Sequence, residues 1–329
     1  MSAVTLMGVM DGHAVALSYA IDEAVDTISD CAPLLTASTL SCLMAQREPQ
    51  VLRDRLFAVA VLGSTRGVPG TALPVSVLSA LTWASAAASA RFDEVTSNGH
   101  PTAPVRTTTE GISNLALLSM RYLDSLRVPQ RLKWQWSQDV VRSSLAATEE
   151  LLTKNRRHSW EVTRSDAISA CLGRSGNAYG RDALMAARVQ ASEAAEDWRK
   201  FGLQYGLLHQ LRDNSAGVPP EEDSDLAGGV PTLLLAHAFT QATPARRVEL
   251  VHLRLAAMHD LSARAVLREL LNAERVVDSY RADVIGLHRQ ACQRLGALCG
   301  DNEFRAVLRA ELDISVQRAV PKSREVIGL

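Results

Sequence analysis

The sequence predicts an all-α protein, and three observations carry that expectation. Alanine, leucine and arginine dominate the 329 residues while aromatics make up only 5%, a composition rich in helix formers. Apolar residues recur at helical spacing, as in Val141, Leu145, Thr148 and Leu152, and again in Val248, Val251, Leu255 and Met258. Alternating apolar and polar runs bounded by turns are scarce, which argues against a sheet-based core. A chain of this length buries a substantial core. No fixed-period repeat or interdomain linker interrupts it, so the expectation is one domain over residues 1–329, built from roughly ten or more helices.

Taken in chain order, the opening MSAVTLMGVMDGHAVAL is mildly apolar but lacks a basic segment and is broken by Asp11 and His13, so it does not read as a signal peptide. No uncharged run reaches the roughly 18–20 residues that span a bilayer. Helices are punctuated where Gly, Pro, Asn and Ser collect, at 63–74, 97–105, 214–231 and 299–302. The first and last of these read as turns, and the middle two as loops long enough to serve a function. Lys154, Arg156, Arg157 and His158 form a basic cluster whose near-consecutive residues point around a helix, hence a solvated face.

Charge and cysteine usage exclude several classes of function. With 35 basic and 36 acidic residues the net charge is −1, so nothing in the electrostatics favours nucleic acid or an anionic membrane as partner. The five cysteines, at 31, 42, 171, 292 and 299, form no C-x-x-C pair and are odd in number, which fits a reduced, cytoplasmic protein. The eight histidines show no metal-ligand spacing, His252 and His259 being seven apart on one helix. Phosphate-binding loops, dinucleotide fingerprints and nucleophile elbows are missing too.

The most informative stretch is FGLQYGLLHQLRDN, Phe201 to Asn214, followed by DLAGGVPTLLL, Asp225 to Leu235. Phe201, Tyr205, Leu208 and Leu211 define one apolar helical face. Gly202 and Gly206, four apart, lay a strip of small residues along the same helix, and the propensity they cost is returned by close approach of a neighbouring backbone. Gln210 and Asp213 follow one turn apart, a polar pair near the helix end.

This pattern resembles the trans-isoprenyl diphosphate synthase family of class I isoprenoid enzymes, in a divergent form. Gly202, Gly206, Gln210, Asp213, Asp225, Leu226, Gly229, Thr232 and Leu233 match the family's second acidic region, whereas Asn214, Gly217 and Val230 stand where two aspartates and a lysine are expected. The first acidic motif is reduced to Asp93 and Glu94, ahead of Gly99, Pro101 and Thr102. Arg53 falls in the upstream diphosphate-binding segment, and Arg174 and Ser175 take the place of a Lys-Thr pair. The closing helices, with Leu295, Leu298, Leu308, Leu312 and Arg318, carry the likeness across residues 48–318.

The resemblance implies an isoprenoid-synthase helical bundle around a central cavity, an allylic isoprenoid diphosphate as substrate, and Mg2+ as cofactor. It assigns Asp93, Glu94, Asp213 and Glu221 to the metal, with Asp93 and Asp213 as the catalytic acids, and Arg53, Arg174 and Gln210 to the diphosphate. Asp213, Gly217 and Glu221 are spaced like the alternative magnesium triad of terpene cyclases, although Pro219 and Pro220 oppose a continuous helix there. Two functions follow: an unconventional prenyltransferase or terpene cyclase, or a silent relative that binds or regulates an active synthase. Homodimers, or heteromers with a related synthase, are the family's assemblies. Ala86, Ala87, Ala88, Ser89 and Ala90 ahead of Asp93 leave room for an apolar tunnel, which by resemblance would admit chains of roughly fifteen carbons or more.

Overall fold

The computed structural model describes residues 13–15, 18–20, 22–23, 26, 49–65, 120, 122–154, 161–213 and 224–320, and among these every regular element is helical. The principal helices are α1 (Pro49–Ser64), α2 (Gln130–Lys154), α3 (Arg164–Cys171), α4 (Asn177–Gln190), α5 (Ala195–Asp213) and the short α6 (Ser224–Ala227). They continue with α7 (Leu233–Gln241), α8 (Pro244–Ala257), α9 (Leu261–Leu271), α10 (Glu274–Leu298) and α11 (Glu303–Ala319). A π-helical turn, Leu172–Gly176, joins α3 to α4, and a 3-10 turn, Ser192–Ala194, leads into α5.

Local chemistry sets several helix starts. Thr163 and Asp166 form a reciprocal capping box on α3, the Thr163 hydroxyl accepting from the Asp166 amide while the Asp166 carboxylate accepts from the Thr163 amide at 3.0 Å. Thr232, Asp260 and Asn302 cap α7, α9 and α11 through side-chain oxygens, each satisfying an amide that the first helical turn leaves open.

Helix α5 is the hub. It packs against α4, α10, α11 and the π turn. The face predicted from Phe201, Tyr205, Leu208 and Leu211 is buried, but so are Gly202, Gly206, Leu207, His209 and Gln210. Burial therefore extends around the helix, as expected of one enclosed by others rather than lying on a surface. Trp198 and Phe201 from α5, Tyr179 from α4 and Phe57 from α1 form one aromatic cluster with Tyr205, in which Phe57 and Tyr205 have ring centroids 4.4 Å apart. Trp136 anchors α2 to α4 by burying its ring and donating its indole N–H to the Met185 carbonyl at 3.1 Å.

On two helices the spacing is right and the buried face differs. In α2, Val141 and Leu145 are exposed while Trp136 and Val140 are buried. In α8, Val248 and Leu255 face solvent, and Leu250 and Ala257 form the inner face. Periodicity reports that a stripe exists, whereas the neighbours decide which stripe is covered; in α2 Trp136 is buried against α4 while Trp134, equally large, is exposed. The closing helices match expectation, with Leu295, Leu308 and Leu312 buried, Leu298 packed against the core, and the break at 299–302 lying between α10 and α11. No helix among the described residues is long and apolar enough to cross a membrane.

Candidate functional site

The site is built around a crossing of α4 and α5 too close for side chains. A Cβ added to Gly202 would lie 2.3 Å from the Tyr179 carbonyl oxygen and 2.8 Å from Gly180 Cα, and one added to Gly206 would lie 2.8 Å from Gly176 Cα. Four glycines thus let two backbones touch over a full turn, which is the close approach that the Gly202 and Gly206 strip predicts.

At the end of this crossing the π turn Leu172–Gly176 inserts extra backbone between α3 and α4, a device that re-aims side chains within an otherwise continuous helix. Ser175 in this turn is buried and donates its hydroxyl to Gln210 Oε1 at 2.6 Å, inside the core. That bond fixes Gln210 and ties the turn bearing Arg174 to the last turn of α5, which ends at Asp213. Beside it, the His209 ring lies tilted against Tyr179 with ring centroids 5.2 Å apart. Arg212 Nη2 lies 2.6 Å from His209 Nε2; a guanidinium only donates, so that ring nitrogen accepts and carries no proton.

The segment after the acidic loop forms a tight turn. Val230 N–H donates to the Asp225 carbonyl at 2.8 Å, and Gly229 between them has φ +63°, a conformation that favours glycine. Arg254, reaching from α8, donates to the Gly229 carbonyl at 2.8 Å. Burial pulls its guanidinium below the usual range, against the opposing charge of Asp166. Thr232 then caps α7. Sequence reading did not single out Arg254, His209 or Ser279. Their partners lie 25, 3 and 42 positions away, and only the first and last needed tertiary structure to be found.

A second polar cluster, half-buried and with Arg164 on its exposed side, lies where α3, α7 and α10 meet. Arg164 grips Asp283 with two parallel bonds of 2.7 and 2.8 Å, and His237 bridges Asp283 at 3.2 Å and the Ser279 hydroxyl at 2.9 Å. Burial alone would raise the Asp283 carboxyl, but the hydrogen bonds and charges of Arg164 and His237 outweigh it and hold the group below the usual carboxylate range. In α2, Asp139 is buried 3.0 Å from Arg188 Nη1 without hydrogen-bonding geometry. Here burial dominates over the nearby arginines and pushes the carboxyl up to about 6.

Of the residues expected to carry chemistry, Gln210 is placed in full. Arg53 lies on α1 one turn ahead of Phe57, Arg174 lies in the π turn, and Asp213 closes α5, their backbones being described and their side chains not. Asp93, Glu94, Glu221, Gly217 and the small-residue run at 86–90 lie outside the described residues. One buried hydrogen bond, from Ser175 to Gln210, thus joins the π turn that contains Arg174 to the last turn of α5, which ends at Asp213.

No protein-family model and no curated protein matches this sequence. Solved structures do match. Geranylgeranyl pyrophosphate synthetase from Pyrococcus horikoshii Ot3 superposes with a TM-score of 0.70 at 16% identity, over 92% of this chain and 98% of that one. Geranylgeranyl pyrophosphate synthase from Lactobacillus brevis, complexed with citrate, gives 0.72 at 13% identity over 95% and 97%. A polyprenyl synthetase from Streptomyces coelicolor A3(2) gives 0.69 at 16% over 92% and 99%. The chain therefore has the all-helical fold of these geranylgeranyl pyrophosphate and polyprenyl synthetase structures, at low sequence identity.

Proposed function

We propose that the protein is an unconventional class I isoprenoid diphosphate enzyme, a prenyltransferase or terpene cyclase acting on an allylic diphosphate. The observation that carries this reading is the buried Ser175–Gln210 hydrogen bond across the glycine crossing. Core burial of a polar pair is worth its desolvation only when both groups are satisfied. Here it locks the turn that holds Arg174 against the helix that ends in Asp213. A guanidinium and a carboxylate at the edge of one rigid crossing suit a diphosphate and its counter-ion, the first binding phosphate oxygens directly and the second through a cation.

The donors assigned to the metal, Asp93, Glu94, Asp213 and Glu221, are all carboxylates, the ligand type magnesium takes. Asp213 fits that role on position as well: at the C-terminal end of α5 the helix carbonyls already create a negative potential, and a carboxylate added there is favoured by a cation. When bound, magnesium would neutralise charge on the leaving diphosphate. Arg53 and Arg174 would bind the phosphate oxygens through charge-assisted hydrogen bonds, and Gln210, held by Ser175, would orient the polar end of the site. Cleavage of the allylic C–O bond would then leave its electron pair on the diphosphate, whose added charge the arginines and the cation would stabilise.

A silent, partner-binding role is favoured by one observation. The position expected to hold a lysine is Val230, whose amide closes a turn on Asp225. The neighbouring cation, Arg254, is engaged on the Gly229 carbonyl. The two readings separate on ligand binding. Magnesium with an isoprenoid diphosphate should raise the melting temperature, since a ligand of the folded state alone must stabilise it. Asp213→Ala should abolish the shift while leaving the fold intact. A parent protein that shows no shift, while co-purifying with an active synthase, would replace the enzyme reading with the partner reading.

A further inference from the structure

Where α10 and α11 pack together, three side chains of unlike chemistry converge on one point. His288 and Cys292 are one turn apart on α10, and Asp313 comes from α11. Cys292 Sγ lies 3.4 Å from His288 Nε2, and Asp313 Oδ1 lies 2.7 Å from the same nitrogen. All three donor atoms fall within 4.8 Å of one another. In a nucleophile–base–acid relay the histidine uses both ring nitrogens, one for the nucleophile and one for the acid. Here thiol and carboxylate both address Nε2, so the arrangement is a convergence of donors rather than a relay.

We propose that His288, Cys292 and Asp313 bind a zinc-class divalent transition metal. Sulfur, imidazole nitrogen and carboxylate oxygen together suit this ion class, whereas magnesium avoids the first two. Ordinary zinc bond lengths in a tetrahedron place donors roughly 3.3–3.6 Å apart. The sulfur–nitrogen separation of 3.4 Å already matches. The nitrogen–oxygen pair, now a hydrogen bond, opens by about 0.6 Å when the ion replaces the proton between them. Arg309 Nε lies 3.2 Å from Asp313 Oδ1 and orients the carboxylate from outside. Thiolate and carboxylate together cancel the ion's charge, so Arg309 meets no net repulsion.

Access and a fourth position are also present. A surface cavity of about 430 Å³, lined by Ile285, His288, Arg289, Cys292, Gln293 and Arg309, opens at the cluster. The cavity leaves room for water as a fourth ligand, and the ion would join α10 to α11. The site is independent of the diphosphate reading, since it uses none of the residues assigned there.

The test is a cobalt titration of the full chain without magnesium or diphosphate. One equivalent of Co2+ should bind, with thiolate charge-transfer absorption and the bands of a four-coordinate ion. Cys292→Ser, nearly isosteric, should lose the charge-transfer absorption, and Asp313→Asn should weaken binding at least about tenfold. Cys299→Ala, which removes the neighbouring half-buried thiol, should change nothing. Zinc at one equivalent should raise the melting temperature of the parent protein, a readout that requires no variant to fold. Absence of one-to-one uptake, charge-transfer absorption that survives Cys292→Ser or disappears in Cys299→Ala, unchanged affinity in Asp313→Asn, or a melting point unmoved by zinc would each overturn the proposal.

Discussion

Asp139 shows how a single buried carboxylate acquires a measurable role. Burial raises its folded pKa from 3.8 to about 6, the arginines around it recovering only part of the cost. The folded state then binds this proton more tightly than the unfolded state. Its contribution to stability is full below about pH 4 and is lost as the pH rises through about 6. A shift of this size corresponds to roughly 3 kcal/mol. Asp139→Asn should remove the dependence, so that denaturation midpoints of variant and parent diverge in the variant's favour between pH 4 and pH 7. Parallel curves over that range would show that the carboxylate is ionised in both states. Gln210 is a residue-scale contrast: it too is buried, yet its acceptor is met by Ser175 at 2.6 Å, so it rigidifies the site without a penalty.

At the scale of elements, glycines separate into those that geometry requires and those it does not. Gly202 sits where α5 crosses α4, and a methyl group there meets the backbone of Tyr179 and Gly180, which cannot rotate away. Gly286, in the middle of α10, has nothing within 4 Å of an added Cβ. Gly202→Ala should therefore destabilise by about 1–3 kcal/mol or more, and it should loosen the Ser175–Gln210 contact with it. Gly286→Ala should stabilise by about 0.5–1 kcal/mol through helix propensity. Urea titrations of the two variants check this as a pair, and a Gly202→Ala protein as stable as the parent would mean the crossing is wider than described.

Across the whole molecule, the cluster of Arg164, His237, Ser279 and Asp283 ties α3, α7 and α10 at one junction. Its linkage runs opposite to that of Asp139. Asp283 is held below the usual range, so its contribution is present above the unfolded value of 3.8 and is lost as the pH falls through the lower folded value. Asp283→Asn should be less stable than the parent at neutral pH, and the deficit should close in acid. A deficit that is the same at every pH would point to lost packing instead of lost charge. Together the two carboxylates bracket a window near pH 4 in which both contributions are present.

The sequence by itself determined the fold class and the main features of α5, because helical periodicity, the glycine spacing and the order of Gln210, Asp213 and the Asp225 to Leu233 turn are local properties of the chain. It also placed the closing helices and the break between them, since leucines at helical spacing on either side of a Gly-containing turn allow little else. Which stripe of α2 and α8 is buried was not legible, because Val141 and Val248 look like core residues until their neighbours are known. The π turn beneath Ser175 was equally hidden, as one extra residue in a helix leaves no mark in composition. The convergence of His288 and Cys292 on Asp313 was invisible for a simpler reason. Two of its members share a helix, but the third stands 25 residues from His288, and only the packing of α11 against α10 makes one site of donors that the sequence keeps apart.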